Sequence, residues 1–436
     1  MEQPLGYVDP KYPSHVCRLR RALYGLKQAP RAWFHRFSVF LLAIGFSCSR
    51  ADSSLFVLSK GADLIYLLLY VDDIVVTSNN SFLLNTFISK LSKEFATKDM
   101  GSLNYFLGLE AYRTSSGLFL SQAKYAHEIL QRAKLVDSKP VSTPMVVAHH
   151  LSIDGPVFDD PSLYQSLVGA LQYLTITRPD LTHVVSAVSQ YMHKPSLCHF
   201  QAVKRILRYI KGTLRYGLSF TPSSSRDILA YSDVDWAGCL DTRRSISGYV
   251  IYLGDNLVSW RSKKQPTVSR SSCESEYRAL VSTAAEVKWL GHLLRDLKVI
   301  SSSSPLLFCD NQSSIFLVAN PVSHSRSKHI ELNYHFVREL VASGQLRLQY
   351  VPTNLQLADI FTKSLSRPAF IFFRSKLRIQ DSQTLGLRGV LRLLIKIKNQ
   401  IKIPSKIKIS YEPETDVITE TFLNSDLSRV YVKTKL

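Results

Sequence analysis

Apolar spacing changes several times along the chain, and each change predicts an element. "LIYLLLY" (64–70) and "IVVT" (74–77) are continuous apolar runs. They suit a hairpin whose strands are covered on both faces. The turn between them carries Asp72 and Asp73, two adjacent like charges. Helices are predicted near 28–43 and 82–95, with mixed structure to 135. Residues 137–162 hold four prolines and little periodicity, which predicts a linker or long surface loop. From 163 to 213 the pattern is helical. There Val203, Leu207 and Ile210 form one stripe, while Lys204, Arg208 and Lys211 form another at the same spacing. Gly212 caps that helix.

From 228 the order is clearer. "ILAYSD" predicts a strand, and "GYVIYLGDNLVSW" predicts a hairpin turning at Gly254–Asn256. A helix over 272–297 has apolar positions at 277, 280, 281, 284, 287, 290, 294 and 297. "PLLFCD" is a strand leading into a helix. A further helix over 326–342 precedes the strand "LRLQYV" and the helix "LQLADIFTKSL". Three antiparallel strands, helix, strand, helices, strand and helix make a mixed α/β layer domain of about 140 residues.

Composition narrows the partners. The 436 residues suggest two or three domains. With 54 Lys+Arg against 34 Asp+Glu the net charge is +20, which favours a polyanionic partner, nucleic acid ahead of an anionic membrane surface. The six cysteines lack CxxC or zinc-finger spacing and read as free core thiols in a reducing compartment. The first residues have no signal-peptide core, and no apolar run is long enough for a membrane span. A soluble, intracellular chain is expected.

Several acids of the last domain fall at element ends, where ligands of open sheets gather. Asp233 ends the first strand, Asp310 ends the fourth, and Asp359 lies in the last predicted helix. Four converging carboxylates would hold two divalent cations about 4 Å apart, the arrangement that activates water against a phosphodiester. The fourth acid must come from the long helix. Ser271-x-x-Glu274 is a capping box that explains Glu274 locally. Glu276, past the cap and beside Tyr277 and Leu280, is therefore the better candidate. Asp235 stands two residues from Asp233 and faces the same side, so strand geometry does not rank them.

"YSDVDWAGCLDTRRSISGYV", "SRSSCESEYRAL", "FCDNQSSIFLVANPVSHSRSKHIE" and "VPTNLQLADIFTKSL" resemble the ribonuclease H domain of copia-type LTR retrotransposon polyproteins. "RALYGLKQAPRAWF", "YVDD", "GSLNYFLGLEA" and "YQSLVGALQYLTITRPDL" resemble their reverse transcriptase and connection region. The resemblance runs in order over about residues 1–389. It implies a partial reverse-transcriptase palm and thumb (1–136), a linker and helical connection (137–226), a ribonuclease H-like mixed-sheet domain (227–366) and a polyprotein C-terminal segment (367–389).

The resemblance places a ribonuclease H tetrad on Asp233, Glu276, Asp310 and Asp359, with two Mg²⁺ (or Mn²⁺) ions and an RNA–DNA hybrid as substrate. It makes Asp72 and Asp73 acids of the polymerase metal site. Since adjacent strand residues point to opposite sides, Asp72 is the better ligand of the two. Lys27 and Gln28 would touch nucleotide or template. Lys204, Arg208, Lys211, Lys263 and Lys264 are expected to hold nucleic-acid backbone, together with Lys328 and His329. In this family a further polymerase aspartate lies just before the segment matching "MEQPLGYVDP". That implies an N-terminally truncated element without polymerase activity. Association with other element-encoded proteins, in cytoplasmic particles or the nucleus, is also expected. The rival reading is a non-catalytic nucleic-acid-binding remnant. Residues 390–436, with "IKIKNQIKIPSKIKIS", read as a basic tail of unknown origin, more simply flanking sequence than a binding arm.

Overall fold

The computed structural model describes residues 2–18, 26–147, 151–301, 303–319, 328–382 and 428–434; within 328–334, and in the last segment apart from Val432, only the backbone is described. Two compact units result. Residues 1–103 and 412–436 form the first, and 104–411 the second.

The first unit holds an antiparallel sheet in the order Ser47–Cys48, Leu55–Lys60, Asp63–Tyr70, Asp73–Ser78, Ser428–Thr434, Thr97–Asp99. Helices Ala29–Ala43 and Ser81–Glu94 cover one face, burying Phe37, Leu41, Leu84, Phe87 and Leu91 against Ile65, Leu67 and Leu69. The opposite residues Leu64, Tyr66 and Leu68 are only half-buried, so the apolar run is fully covered on one face, not on both. One strand comes from the segment read as a tail. Ser428–Thr434 pairs with Asp73–Ser78 on one side and Thr97–Asp99 on the other, and Val432 enters the core. The remainder of the expected basic tail lies outside the described residues.

The second unit contains two sheets. Ile379–Asp381, Tyr216–Phe220, Gly117–Ser121, Leu109–Thr114 and Tyr105–Phe106 form an antiparallel one. Its core is shared with helices Ala123–Arg132, Pro161–Leu174, Thr182–Ser189, Leu197–Gly212 and Arg367–Lys376. The second sheet has the order Asn256–Lys264, Ile246–Leu253, Ile228–Asp235, Leu306–Cys309, Arg347–Tyr350. The first three strands are antiparallel, and the last two join in parallel. This is the mixed sheet the sequence predicts, with Ile228–Asp235 at its centre. The long helix Ser272–Asp296 lays Tyr277, Leu280, Ala284, Val287, Leu290 and Leu294 on it.

The segment expected as a final helix differs. It forms two 3₁₀ turns, Thr353–Leu355 and Leu357–Phe361. Ala358, Asp359, Ile360 and Phe361 are all buried in succession, which leaves no solvent face for an amphipathic α-helix. The turn lies against the sheet at Gly248, where a Cβ would stand 2.7 Å from both Phe361 Cβ and Thr362 Cγ2. Only a residue without a side chain permits that approach.

The cysteines also differ from expectation. Only Cys239 and Cys309 are buried, whereas Cys48 and Cys198 are exposed; none of the six forms a disulfide.

Candidate functional site

The carboxylates gather at the end of the central strand of the mixed sheet. Asp233 lies two residues before that strand ends and is 2% exposed. Asp310 follows directly on Leu306–Cys309, the parallel neighbour. Glu276 comes from the first turns of the long helix, and Asp359 from the second 3₁₀ turn; both are buried.

Two glutamines hold these pieces together, and neither has a signature in the sequence. Buried Gln356 donates from Nε2 to Ser232 O at 2.9 Å and accepts from Ala358 N at 3.3 Å, tying the Asp359 turn to the Asp233 strand. Gln265 Nε2 donates to Ser275 O at 2.9 Å and Ser247 Oγ at 2.8 Å, tying the start of the helix to the sheet.

Helix capping separates the two glutamates. Ser271 Oγ accepts from Glu274 N at 3.1 Å. The Glu274 carboxylate accepts from Arg270 N at 2.8 Å, one residue before the expected Ser271, and from Arg278 Nη2 at 2.7 Å. Glu274 is thus occupied by the helix start, whereas Glu276 Oε2 is buried with no hydrogen-bond partner. Glu276, Asp310 and the Cys309 thiol bring ligand atoms within 4.8 Å of one another.

Lys363 adds a positive charge that sequence reading overlooked. Its Nζ lies 2.9 Å from Asp359 Oδ1 and 3.6 Å from Asp233 Oδ2, and Thr362 Oγ1 donates to the same Asp233 oxygen. Thr353 Oγ1 donates to Asp310 Oδ2 at 3.1 Å. The available signal was the i, i+4 spacing of Asp359 and Lys363.

Electrostatics follow from crowding acids in a dry place. Burial, then the Asp233 and Asp310 charges, push Glu276 up to about 9. Burial and Asp233 push Asp359 up to about 7, against the opposing pull of Lys363. Burial and Asp233 also raise Asp310. Burial opposes the Lys363 ammonium, but Asp233 and Asp359 outweigh it and hold its pKa above the ordinary value. The Cys309 thiol is pushed up by burial and by Glu276, so it stays protonated and is a poor ligand for a hard cation. An orphaned buried carboxylate oxygen, and an ammonium held between two other carboxylates, mark a place built for positive charge. Oxygen donors of this kind fit Mg²⁺ or Mn²⁺.

The other predicted residues are not gathered there. Asp72 and Asp73 lie in the first unit, where Tyr70 pairs with Asp73 and leaves Val71 and Asp72 as a two-residue turn. Val71 has φ of 52°, a costly conformation for a β-branched residue, and its carbonyl accepts from Trp33 Nε1 at 2.6 Å. Lys27 and Gln28 are exposed at the start of the Ala29–Ala43 helix. The basic stripe of Leu197–Gly212 is divided. Lys204 is exposed with Nζ 4.7 Å from the Phe200 ring centroid, and Lys211 is half-buried. Arg208 instead donates from Nε to Lys139 O at 2.7 Å, anchoring the linker. Lys263 is exposed, whereas Lys264 turns its Nζ to 3.8 Å from Cys239 Sγ. The side chains of Lys328 and His329 lie outside the described residues. No described helix is long and apolar enough to cross a membrane.

Residues 1–147 match the family described as reverse transcriptase (RNA-dependent DNA polymerase). The retrovirus-related Pol polyprotein from transposon RE1 of Arabidopsis thaliana is 48% identical over 380 residues, 87% of this chain and 26% of the polyprotein. An uncharacterised mitochondrial protein of the same plant is 52% identical over 225 residues, 52% of this chain and 94% of that protein. Among solved structures, the foamy viral protease-reverse transcriptase in complex with RNA/DNA hybrid covers 76% of this chain with 39% of its own, at 11% identity and a TM-score of 0.42. The chain spans about a quarter of the length of the curated polyproteins it matches, at 26%. With the polyprotein match running through both units, the chain belongs to the reverse transcriptase–ribonuclease H region of copia-type LTR retrotransposon Pol polyproteins.

Proposed function

We propose that the second unit is a metal-dependent ribonuclease H that hydrolyses the RNA strand of an RNA–DNA hybrid. The observation that carries this reading is the gathering of Asp233, Glu276, Asp310 and Asp359, with the Lys363 ammonium between Asp233 and Asp359 and a Glu276 oxygen left unpartnered. Bound divalent cations would supply an activated water and stabilisation of the leaving oxygen. The chain's own residues prepare that place. Gln356 and Gln265 fix the two elements that bring Asp359 and Glu276 to the strand. Thr362 and Thr353 orient the Asp233 and Asp310 carboxylates through single hydroxyl donors. Lys363 balances part of the negative charge and holds Asp233 and Asp359 toward each other. Exposed Lys204 and Lys263 are suited to phosphate contacts, so hybrid binding should weaken steeply with salt.

For the first unit we propose no independent primer extension. The metal-holding group of acids found among the described residues lies in the second unit. Robust extension by the purified chain would overturn that.

The test of the nuclease is Asp310→Asn in the full chain, assayed on a labelled hybrid with Mg²⁺ or with chelator. Cleavage should fall by at least about 100-fold while hybrid binding survives. A rival reading, binding without cleavage, draws on Lys363, which already neutralises part of the cluster. It prevails if the native chain binds hybrid but shows no Mg²⁺-dependent cleavage.

A further inference from the structure

A cavity of about 240 Å³ opens in the second unit, between the helix Thr182–Ser189 and the mixed sheet. Its apolar lining includes Met145, Leu151, Ala187 and Ile246. The lining also includes Thr362 and Lys363, the two residues that bond Asp233. Two of the residues lining the cavity, His183 and Ser262, each hold a buried polar atom, Nδ1 and Oγ respectively, without a hydrogen-bond partner. Burial pushes His183 down to about 4, so its ring is neutral at pH 7. The tautomer that donates to the Phe361 backbone leaves Nδ1 as a bare acceptor. Buried groups of this kind cost free energy unless something meets them.

Cys239 shares the cavity. Its Sγ lies 3.8 Å from Lys264 Nζ and 3.9 Å from Gln190 Oε1. Burial alone would raise the thiol; hydrogen bonds from Thr242 and the Lys264 charge outweigh it and hold the pKa below the ordinary value. No other cysteine lines this cavity.

We propose that Cys239 is a modification site, at which a low-molecular-weight disulfide bearing amide groups forms a mixed disulfide inside the cavity. The Cys239 thiolate attacks one sulfur of the small disulfide. The old S–S bond breaks as the new one forms, and the second half leaves as a thiolate that takes a proton from water. One disulfide is consumed and one is formed, so no further oxidant is required. The amide N–H groups of the retained half meet His183 Nδ1, and its carbonyls accept from Ser262 Oγ. The adduct crowds Thr362 and Lys363, so it should also suppress the cleavage proposed above. That second effect rests on the ribonuclease reading, whereas the modification does not.

The full chain is incubated with glutathione disulfide at pH 7, and the cysteine-bearing peptides are mapped by mass. Exposed Cys48 and Cys198 serve as internal references. Cys239 should acquire one dithiothreitol-reversible adduct, absent in Cys239→Ser. Lys264→Ala should slow its formation by about threefold to tenfold, and Lys264→Arg should restore the rate. An unmodified Cys239 beside modified Cys48 and Cys198 would overturn the proposal, as would an unchanged rate in Lys264→Ala. Hybrid cleavage should fall with adduct occupancy and return with dithiothreitol, and in Cys239→Ser it should ignore the disulfide. If the adduct forms but no sample cleaves hybrid, the ribonuclease reading fails and the modification stands.

Discussion

At neutral pH the carboxylate cluster holds protons that an arriving cation must displace, and their number follows from the environment. Glu276, pushed up to about 9, is almost fully protonated at pH 7, and Asp359, at about 7, is half protonated. Coordination needs both as carboxylates. Filling the cluster at pH 7 should therefore release about 1.5 protons per chain, roughly one from Glu276 and roughly half from Asp359. Asp310 is also held up, so this is a lower bound. At pH 9 Asp359 is already ionised and Glu276 half so, and the release should fall to about 0.5. Apparent affinity should rise over the same interval. The assay is calorimetric titration of the full chain with Mn²⁺, at each pH, in two buffers of different ionisation enthalpy. The difference in heat gives the proton count directly. Glu276→Gln should remove about one proton from the count at pH 7. Saturable Mn²⁺ binding with no proton release at pH 7, or a count that stays flat to pH 9, would refute the reasoning.

Four further outcomes are expected. Asp310→Asn should abolish metal-dependent cleavage and spare hybrid binding, as the hybrid assay reads. Without metal, the raised Glu276 pKa makes the folded state bind more protons than the unfolded chain; this contribution is full below about 4.5 and is lost as pH rises to about 9. Urea unfolding in chelator should show a loss of a few kcal/mol across that window, flattened in Glu276→Gln. Gly248→Ala should cost about 1–3 kcal/mol in urea unfolding and lower cleavage more than binding, because the new Cβ displaces the turn carrying Asp359. Val71→Gly should be neutral or stabilising by up to about 1 kcal/mol, since it relieves a positive φ on a β-branched residue; destabilisation beyond that would show the turn is not strained.

The sheet and the long helix were legible because their patterns are local. Continuous apolar runs, a Gly-Asp turn and an i, i+3, i+4 stripe need no distant information. The capping role of Glu274 was legible for the same reason, since a cap is a feature of neighbouring residues. Asp233 and Asp235 were not separable, because alternation places both on one side. What distinguishes them is Thr362 and Lys363, more than 120 residues away, which engage Asp233. The final segment forms 3₁₀ turns where an α-helix is expected. Burial of four consecutive residues is set by the surfaces that enclose them, and no periodicity within the segment shows it. Gln356 and Gln265 were invisible for a related reason, since an amide that bridges two elements has no characteristic spacing.

The strand Ser428–Thr434 has a consequence for how the chain assembles. It fills the place between Asp73–Ser78 and Thr97–Asp99, yet the ribosome makes it more than 300 residues later. Until it emerges, both neighbours present unpaired backbone edges of the kind that recruit foreign strands. The first unit to be synthesised is thus the last to be completed, while the second can close its sheets as it leaves the ribosome. Nascent chains arrested before 428 should accordingly be protease-sensitive in the first unit and resistant in the second.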